Sequence, residues 1–217
     1  YLRDDNSYLD KRWYAQYINI ARCNDALKRI NALSESDYAK KKMREAEVRF
    51  LRAHFYFEIK IMFKHIPWVD ENDQSEDYIN ISNVEYTDQQ LWEMIIEEFR
   101  YAVNNLPETQ DEVGRANKNM AQAYLAKALL YAAYVQDDQH NVTSIDQNKL
   151  QEVVTLCQGL GNRYALADDF AENFLCETEN GKESIFAIQH SVNDNTLRGR
   201  LDWGAMLNYP MNPDYGC

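Results

Sequence analysis

The chain contains no run of about 18 apolar residues, so no segment is long and apolar enough to be a membrane-spanning helix. Basic side chains are in deficit, 23 against 35 acidic, and the resulting formal charge of −12 repels phosphate backbones and anionic lipid headgroups. Nucleic acid is therefore not an expected partner. The four cysteines, Cys23, Cys157, Cys176 and Cys217, are too scattered for a C-x-x-C motif and imply no disulfide framework. Those in helices are expected to be buried as small hydrophobes. His54, His65, His140 and His190 lack the i, i+4 spacing that aims two imidazoles at one zinc, and no bound metal or cofactor is expected. A G-x-S-x-G elbow and a Walker loop are both missing, so no sequence-local nucleophile or phosphate cradle exists. Asp70-x-Asn72-x-Gln74 opens like a calcium loop. Ser75 then stands where the turn needs glycine and Ile81 where a bidentate glutamate belongs, which leaves a solvated acidic loop. A glycosidase needs two carboxylates across a cleft, and no pair stands out among the 35 acidic residues. The chain begins at Tyr1 with no basic-then-apolar leader, so any targeting segment is expected to have been removed by processing or truncation.

What is present is a core. At 45% hydrophobic content, 217 residues can bury one domain of stacked helix pairs. Tyrosine (15) outnumbers phenylalanine (8), so many aromatic positions keep a hydroxyl that needs a partner or water. From Arg44 to Pro67 runs one long apolar helix in which Ala46, Phe50 and Ala53 stand at i, i+4, i+7, the second-helix pattern of a tetratricopeptide unit. Pro67, lacking an amide hydrogen, ends it. The grammar returns at Ala121, Leu125 and Ala128. The first face is expected to pack on the first helix and the second on the third. Such a repeat suggests a binding scaffold before an enzyme.

Element by element, the spacing predicts a first helix over about 11–32, with Ser34 and Asp37 as a capping box opening the second, and helix pairs over about 11–64 and 87–136. The charged start of the second helix, Arg44, Arg49 and Arg52 with Glu45 and Glu47, predicts i, i+3 and i, i+4 pairs and pairs between helices. Residues 70–86 read as a polar, solvated connector. Thr87 and Gln90 form a capping box for the third helix, and Asn117 caps an alanine-rich fourth. A further helix covers about 146–158, with Gly159 and Gly161 suited to left-handed caps. Glu183–Gln189 has the β-branched and aromatic character of a strand, and 191–217 reads as loop.

These residues resemble a known family. Glu47-Val-Arg-Phe-Leu-Arg-Ala-His-Phe-Tyr-Phe57 followed by Phe63-Lys-His-Ile-Pro-Trp-Val69 is similar to the E-x-R-F-L-R-A-x-x-Y-F … F-G-x-V-P-L-V signature of the SusD/RagB outer-membrane lipoproteins. Trp13-x-x-x-Tyr17-x-x-x-Ala21-x-x-Asn24, Gly114-Arg-Ala-Asn-x-x-x-Ala121 through Tyr131, Tyr164 to Phe174 and Glu183-Ser-Ile-Phe186 resemble further family segments in order. Two departures stand out. Lys64 replaces the usual glycine, so the helix end must avoid a left-handed residue or accept roughly 1 kcal/mol, and Trp68 replaces an aliphatic residue and is expected in the core.

The resemblance implies a mainly α, SusD-like fold of tetratricopeptide-like stacked helix pairs with irregular loops and a short β segment, of which 1–217 is a single, N-terminal portion. It implies a non-catalytic lipoprotein exposed at the surface of the outer membrane, held there by an N-terminal lipid anchor outside this chain. Such a protein captures oligosaccharides for a SusC-like TonB-dependent transporter. In the region where family ligand positions fall, Trp203, Asn208, Tyr209 and Tyr215 offer flat apolar faces for a pyranose ring and polar groups for its hydroxyls, and they are the candidate glycan-binding residues. Trp203 and Tyr209 can equally pack the loop onto the helices. A second class of function is a tetratricopeptide adaptor that holds a peptide, and a third a carbohydrate hydrolase.

Overall fold

The computed structural model describes residues 7–73, 78 and 80–189. Among them five α-helices, α1 (Ser7–Asn31), α2 (Lys41–Phe63), α3 (Asp88–Asn105), α4 (Lys118–Ala133) and α5 (Gln147–Gly159), make the fold mainly α. A two-stranded antiparallel hairpin, β1 (Tyr134–Gln136) and β2 (Val142–Ile145), joins α4 to α5. Consecutive helices pack on one another, α1 on α2, α2 on α3, α3 on α4 and α4 on α5, which is the tetratricopeptide-like stack of helix pairs. The chain divides into two compact units, Tyr1–Phe186 and Ala187–Cys217, and all five helices belong to the first.

Local signals set most helix starts. The Thr87 hydroxyl accepts the Gln90 amide at 3.2 Å while Gln90 Oε1 accepts the Thr87 amide at 2.9 Å, a complete capping box for α3. Asn117 accepts the Met120 amide at 3.0 Å, and Asp146 accepts the amides of Asn148 and Lys149. Ser34 and Asp37 behave otherwise. Their hydrogen bonds close a turn, and α2 starts only at Lys41 behind Lys40, which has no side-chain cap. The Ser34 motif therefore satisfies a local turn instead of a helix end.

Helix α2 is the centre of the stack and is buried nearly all round, with Ala46, Phe50, Ala53, Tyr56, Phe57 and Ile59 fully enclosed. The Phe50 face does not turn to α1 as the repeat spacing suggested. Its ring meets Phe99 of α3 at 5.8 Å and Tyr124 of α4 at 5.5 Å. Contact with α1 comes instead from the far end and flank of α2, where Trp13 meets Phe63 edge-on at 4.9 Å and Arg52 bonds Asn24. The Ala121, Leu125 and Ala128 face is buried, and α4 packs on α3. At the C-terminus of α2, Lys64 takes the positive φ of 57° that the missing glycine would have adopted, so the backbone accepts that strain. Trp68 lies in the core, stacked on Tyr56 with centroids 4.0 Å apart.

Four further expectations are corrected. Residues 183–189 form no strand, because no other strand runs beside them among the described residues, and Phe186 instead seats its ring against Phe50, His54 and Tyr124. The β residues among the described residues are Tyr134–Gln136 and Val142–Ile145, the first stretch inside the helix pair expected over about 87–136 and the second ahead of the helix expected from about 146; α4 stops at Ala133, and Asp137 gathers the amides of Gln139 and Asn141 into a turn that reverses the chain. Gly159 is helical, and its role is close approach. A Cβ there would lie 2.6 Å from Nε2 of Gln122, whose amide donates to the Leu156 carbonyl and ties α4 to α5; Gly161 does take a positive φ of 59°. Cys23 is buried, with its thiol pushed up to about 12 by burial, but Cys157 is exposed on α5 despite its helical position.

Candidate functional site

The signature segment of α2 builds two polar centres in the interior. Arg52, 2% exposed, holds Glu98 of α3 through Nε at 3.0 Å and Nη2 at 2.9 Å, and its Nη1 reaches Glu71 at 2.5 Å and Oδ1 of Asn24 at 2.9 Å. Asn24 in turn donates to the Val69 carbonyl, which also accepts the Tyr56 hydroxyl at 2.7 Å, while that hydroxyl accepts the Val69 amide at 2.8 Å. Tyr17 donates to the Pro67 carbonyl. One arginine thus bolts α1, α2, α3 and the Pro67–Glu71 segment together. Residues 70–86 are consequently not a wholly solvated connector. Burial pushes the Glu71 carboxyl up, but its hydrogen bond and charge contact with Arg52 outweigh that and hold it below its ordinary value.

The second centre is Glu47. It accepts Arg44 at 2.8 and 2.6 Å, Gln110 at 2.7 Å and Arg115 at 3.3 Å, and Gln110 also donates to the Ala116 carbonyl. The two separated motif blocks, around Glu47 and around Gly114-Arg115-Ala116, are therefore partners in space. In both centres the charged groups are matched by opposite charge, which fits scaffolding better than chemistry on a substrate.

A third feature is His54, whose ring lies between Phe55, Tyr124 and Phe186 at 5.5, 5.2 and 6.0 Å, and whose Nδ1 is buried without a hydrogen-bond partner. Burial lowers its pKa; Glu58 opposes that, and Lys127 and Arg12 add to it. The unfolded chain therefore binds a proton that the folded one resists, so stability is lost as pH falls below the ordinary histidine value of about 6.5. His54→Phe should remove this dependence, flattening the urea midpoint between about pH 7 and 5.5 relative to wild type. An unchanged slope would assign the dependence to other groups.

At the C-terminal end of α2 a cavity of about 940 Å³ opens to the surface. Phe63, Lys64 and His65 form one wall, Val84 to Gln89 a second and Val135, Gln136, Asp138 and His140 a third. Lys64 Nζ bonds the Asp137 carbonyl and His65 Nε2 lies 3.3 Å from Asp138, so the hairpin tip is fastened to the helix end. Sequence reasoning missed this cavity. Its walls lie more than 70 residues apart in the chain, from Lys64 to Asp138, and nothing local announces their meeting. The sequence-derived glycan residues Trp203, Asn208, Tyr209 and Tyr215 lie outside the described residues. Among the described residues no group of three or more His, Cys, Asp or Glu could hold a metal ion, and no helix is long and apolar enough to cross a membrane.

Residues 2–130 match the family model SusD-like_3, described as "Starch-binding associating with outer membrane". The chain belongs to the SusD-like family. It is 31% identical over 130 residues to the SusD-like protein P2 of Formosa agariphila, a match covering 58% of this chain and 25% of that protein. The stack of SusD-like helix pairs is similar to that of a solved SusD superfamily protein from Parabacteroides distasonis, with 25% identity and a TM-score of 0.73 over 88% of this chain and 40% of the other. A surface glycan-binding protein A from Bacteroides thetaiotaomicron, solved with laminarihexaose, shares the fold at 24% identity and TM-score 0.66, over 90% of this chain and 38% of that one. This chain thus spans about a quarter of the curated SusD-like relative and two fifths or less of these structures.

Proposed function

We propose that the protein captures oligosaccharides at the outer face of the outer membrane and passes them to a TonB-dependent transporter, with no chemistry on the sugar. The observation that carries the reading is the match of residues 2–130 to a starch-binding, outer-membrane-associated family. The shared fold with a protein solved with laminarihexaose supports the ligand class, and the acidic balance favours neutral glycans over polyanions. Trp203, Tyr209 and Tyr215 supply stacking faces and Asn208 hydrogen bonds, while the helical stack serves as the scaffold.

One stacked ring and a few hydrogen bonds give modest free energy, so the complete protein should bind laminarihexaose, maltohexaose or a xyloglucan oligosaccharide with a Kd between about micromolar and millimolar, about −4 to −8 kcal/mol. Titration calorimetry over this small panel measures it, and chromatography of the incubated sugar should show no turnover. Trp203→Ala, Tyr209→Ala and Tyr215→Ala should each weaken binding about ten-fold with the fold intact. Unchanged affinity in all three would move the site elsewhere, and failure of the complete protein to bind any glycan would remove the reading.

A further inference from the structure

The cavity at the end of α2 borders the open edge of a β-sheet. The Ala133 carbonyl accepts the Asp146 amide and the Asp137 amide donates to the Asn141 carbonyl, so both these groups face β2. The register slips between Val135, paired with Ser144, and Gln136, paired with Val142, so the extra residue is Thr143 of β2; the alternation along β1 is kept and turns the amide and carbonyl of Gln136 away from β2. Gln136 lines the cavity, and no hydrogen bond from another element reaches its amide or carbonyl among the described residues.

Around this edge stand exposed apolar side chains. Ile61 is 40%, Met62 46% and Val84 69% exposed, and all three line the same space. Glu85 and Asp138 put carboxylates on its rim. Among the described residues, two of the three non-glycine residues with positive φ, Lys64 at 57° and His140 at 64°, are wall residues too, and the Nδ1 of His65 is buried there without a partner. Strained backbone and an unmatched polar atom at one place mark a wall held ready for something else.

We propose that this cavity is a strand-addition site for an extended segment of a partner protein carrying alternating apolar and basic side chains. The segment would pair its backbone with Gln136, lay its apolar side chains on Ile61, Met62 and Val84, and set its basic ones against Glu85 and Asp138. The opening of about 940 Å³ admits several side chains of such a segment. An acidic chain of formal charge −12 favours a basic partner over an acidic one. The inference does not depend on glycan binding.

The probe is a fluorescein-labelled heptapeptide of alternating valine and lysine, titrated into the purified protein by anisotropy, with amide NMR on the same sample. Saturable binding is expected, with protection and a shift of the Gln136 amide. A peptide N-methylated at alternate residues, which keeps its side chains but loses backbone donors, should bind at least ten-fold more weakly. Glu85→Lys should weaken the unmodified peptide about three-fold or more while leaving the circular dichroism unchanged. Equal binding of the methylated peptide overturns strand pairing, as do shifts confined to another surface or no binding at all. Self-association that protects Gln136 in the absence of peptide makes the occupant a second copy and also overturns the proposal. Perturbation of the same resonances by laminarihexaose, with none by peptide, would make the cavity a sugar site and overturn it likewise.

Discussion

Arg52→Leu should destabilise the fold by about 3 to 5 kcal/mol, the range for removing one partner of a buried ion pair. The loss strands Glu98, whose remaining cationic contact is Arg49 at 3.3 Å, and removes the donors to Glu71 and Asn24. Arg52→Lys should not rescue it, because a single ammonium cannot span acceptors on α1, α3 and the Glu71 segment at once. The deficit should also narrow at acid pH, from both sides. In the wild type Glu71 is held below its ordinary value, so the stability it contributes is present above about pH 4.3 and lost as pH falls through its folded pKa. In the variant Glu98, already pushed up by burial against the pull of Arg52 and Arg49, rises further. A carboxyl raised in this way favours folding below its unfolded value and loses that contribution as pH rises. Urea unfolding of both proteins at pH 4 and pH 7 measures the effect. A loss under 1 kcal/mol at pH 7, or a gap that widens on acidification, would contradict the role given to Arg52.

Phe50→Ala should cost about 3 to 5 kcal/mol by a different route, a cavity at the centre of the stack. The Phe50 ring is fully buried and makes edge-on contacts with Phe99, Tyr124 and Phe186 at 5.8, 5.5 and 5.3 Å, so truncation removes a ring shared by α2, α3, α4 and the 183–186 segment. Phe50→Leu keeps most of the volume and should cost less than about 1.5 kcal/mol. The check is the urea midpoint at constant slope. Near-equal losses for alanine and leucine would mean that the aromatic geometry, and not the filled volume, is what the site requires.

The two variants separate what was readable from what was not. Residue types and helical spacing announced that Phe50 and Ala53 would be buried, because burial on one face of a helix is a periodic and therefore local property. They did not announce against what, since Phe99, Tyr124 and Phe186 lie 49, 74 and 136 positions further along the chain. The same holds for Arg52. Its charge and its neighbours Arg49 and Glu45 read as pairs on and between helices, and pairs of both kinds exist, but the bond to Glu71 needed a connector that the sequence presented as solvated. Of the candidate site, the glycan residues Trp203, Asn208, Tyr209 and Tyr215 rest on the sequence, while the cavity rests on the fold alone.

By itself the sequence determined the five helices found among the described residues, the capped starts of α3 and α4, the burial of Trp68 and, through its motif blocks, membership of the SusD-like family, whereas α2 ends at Phe63, short of the expected stop at Pro67. Those are consequences of local hydrogen-bonding needs and of 3.6-residue periodicity, which neighbouring residues satisfy among themselves. Tertiary structure decided the rest. It moved the start of α2 from Ser34 to Lys41 and made 183–186 an apolar insert instead of a strand. It also paired Glu47 with Arg115 and set an open β edge beside the end of α2. Each of these depends on which partner lies across a gap, and a ladder, a buried charge or a cavity wall has no meaning until that partner is in place.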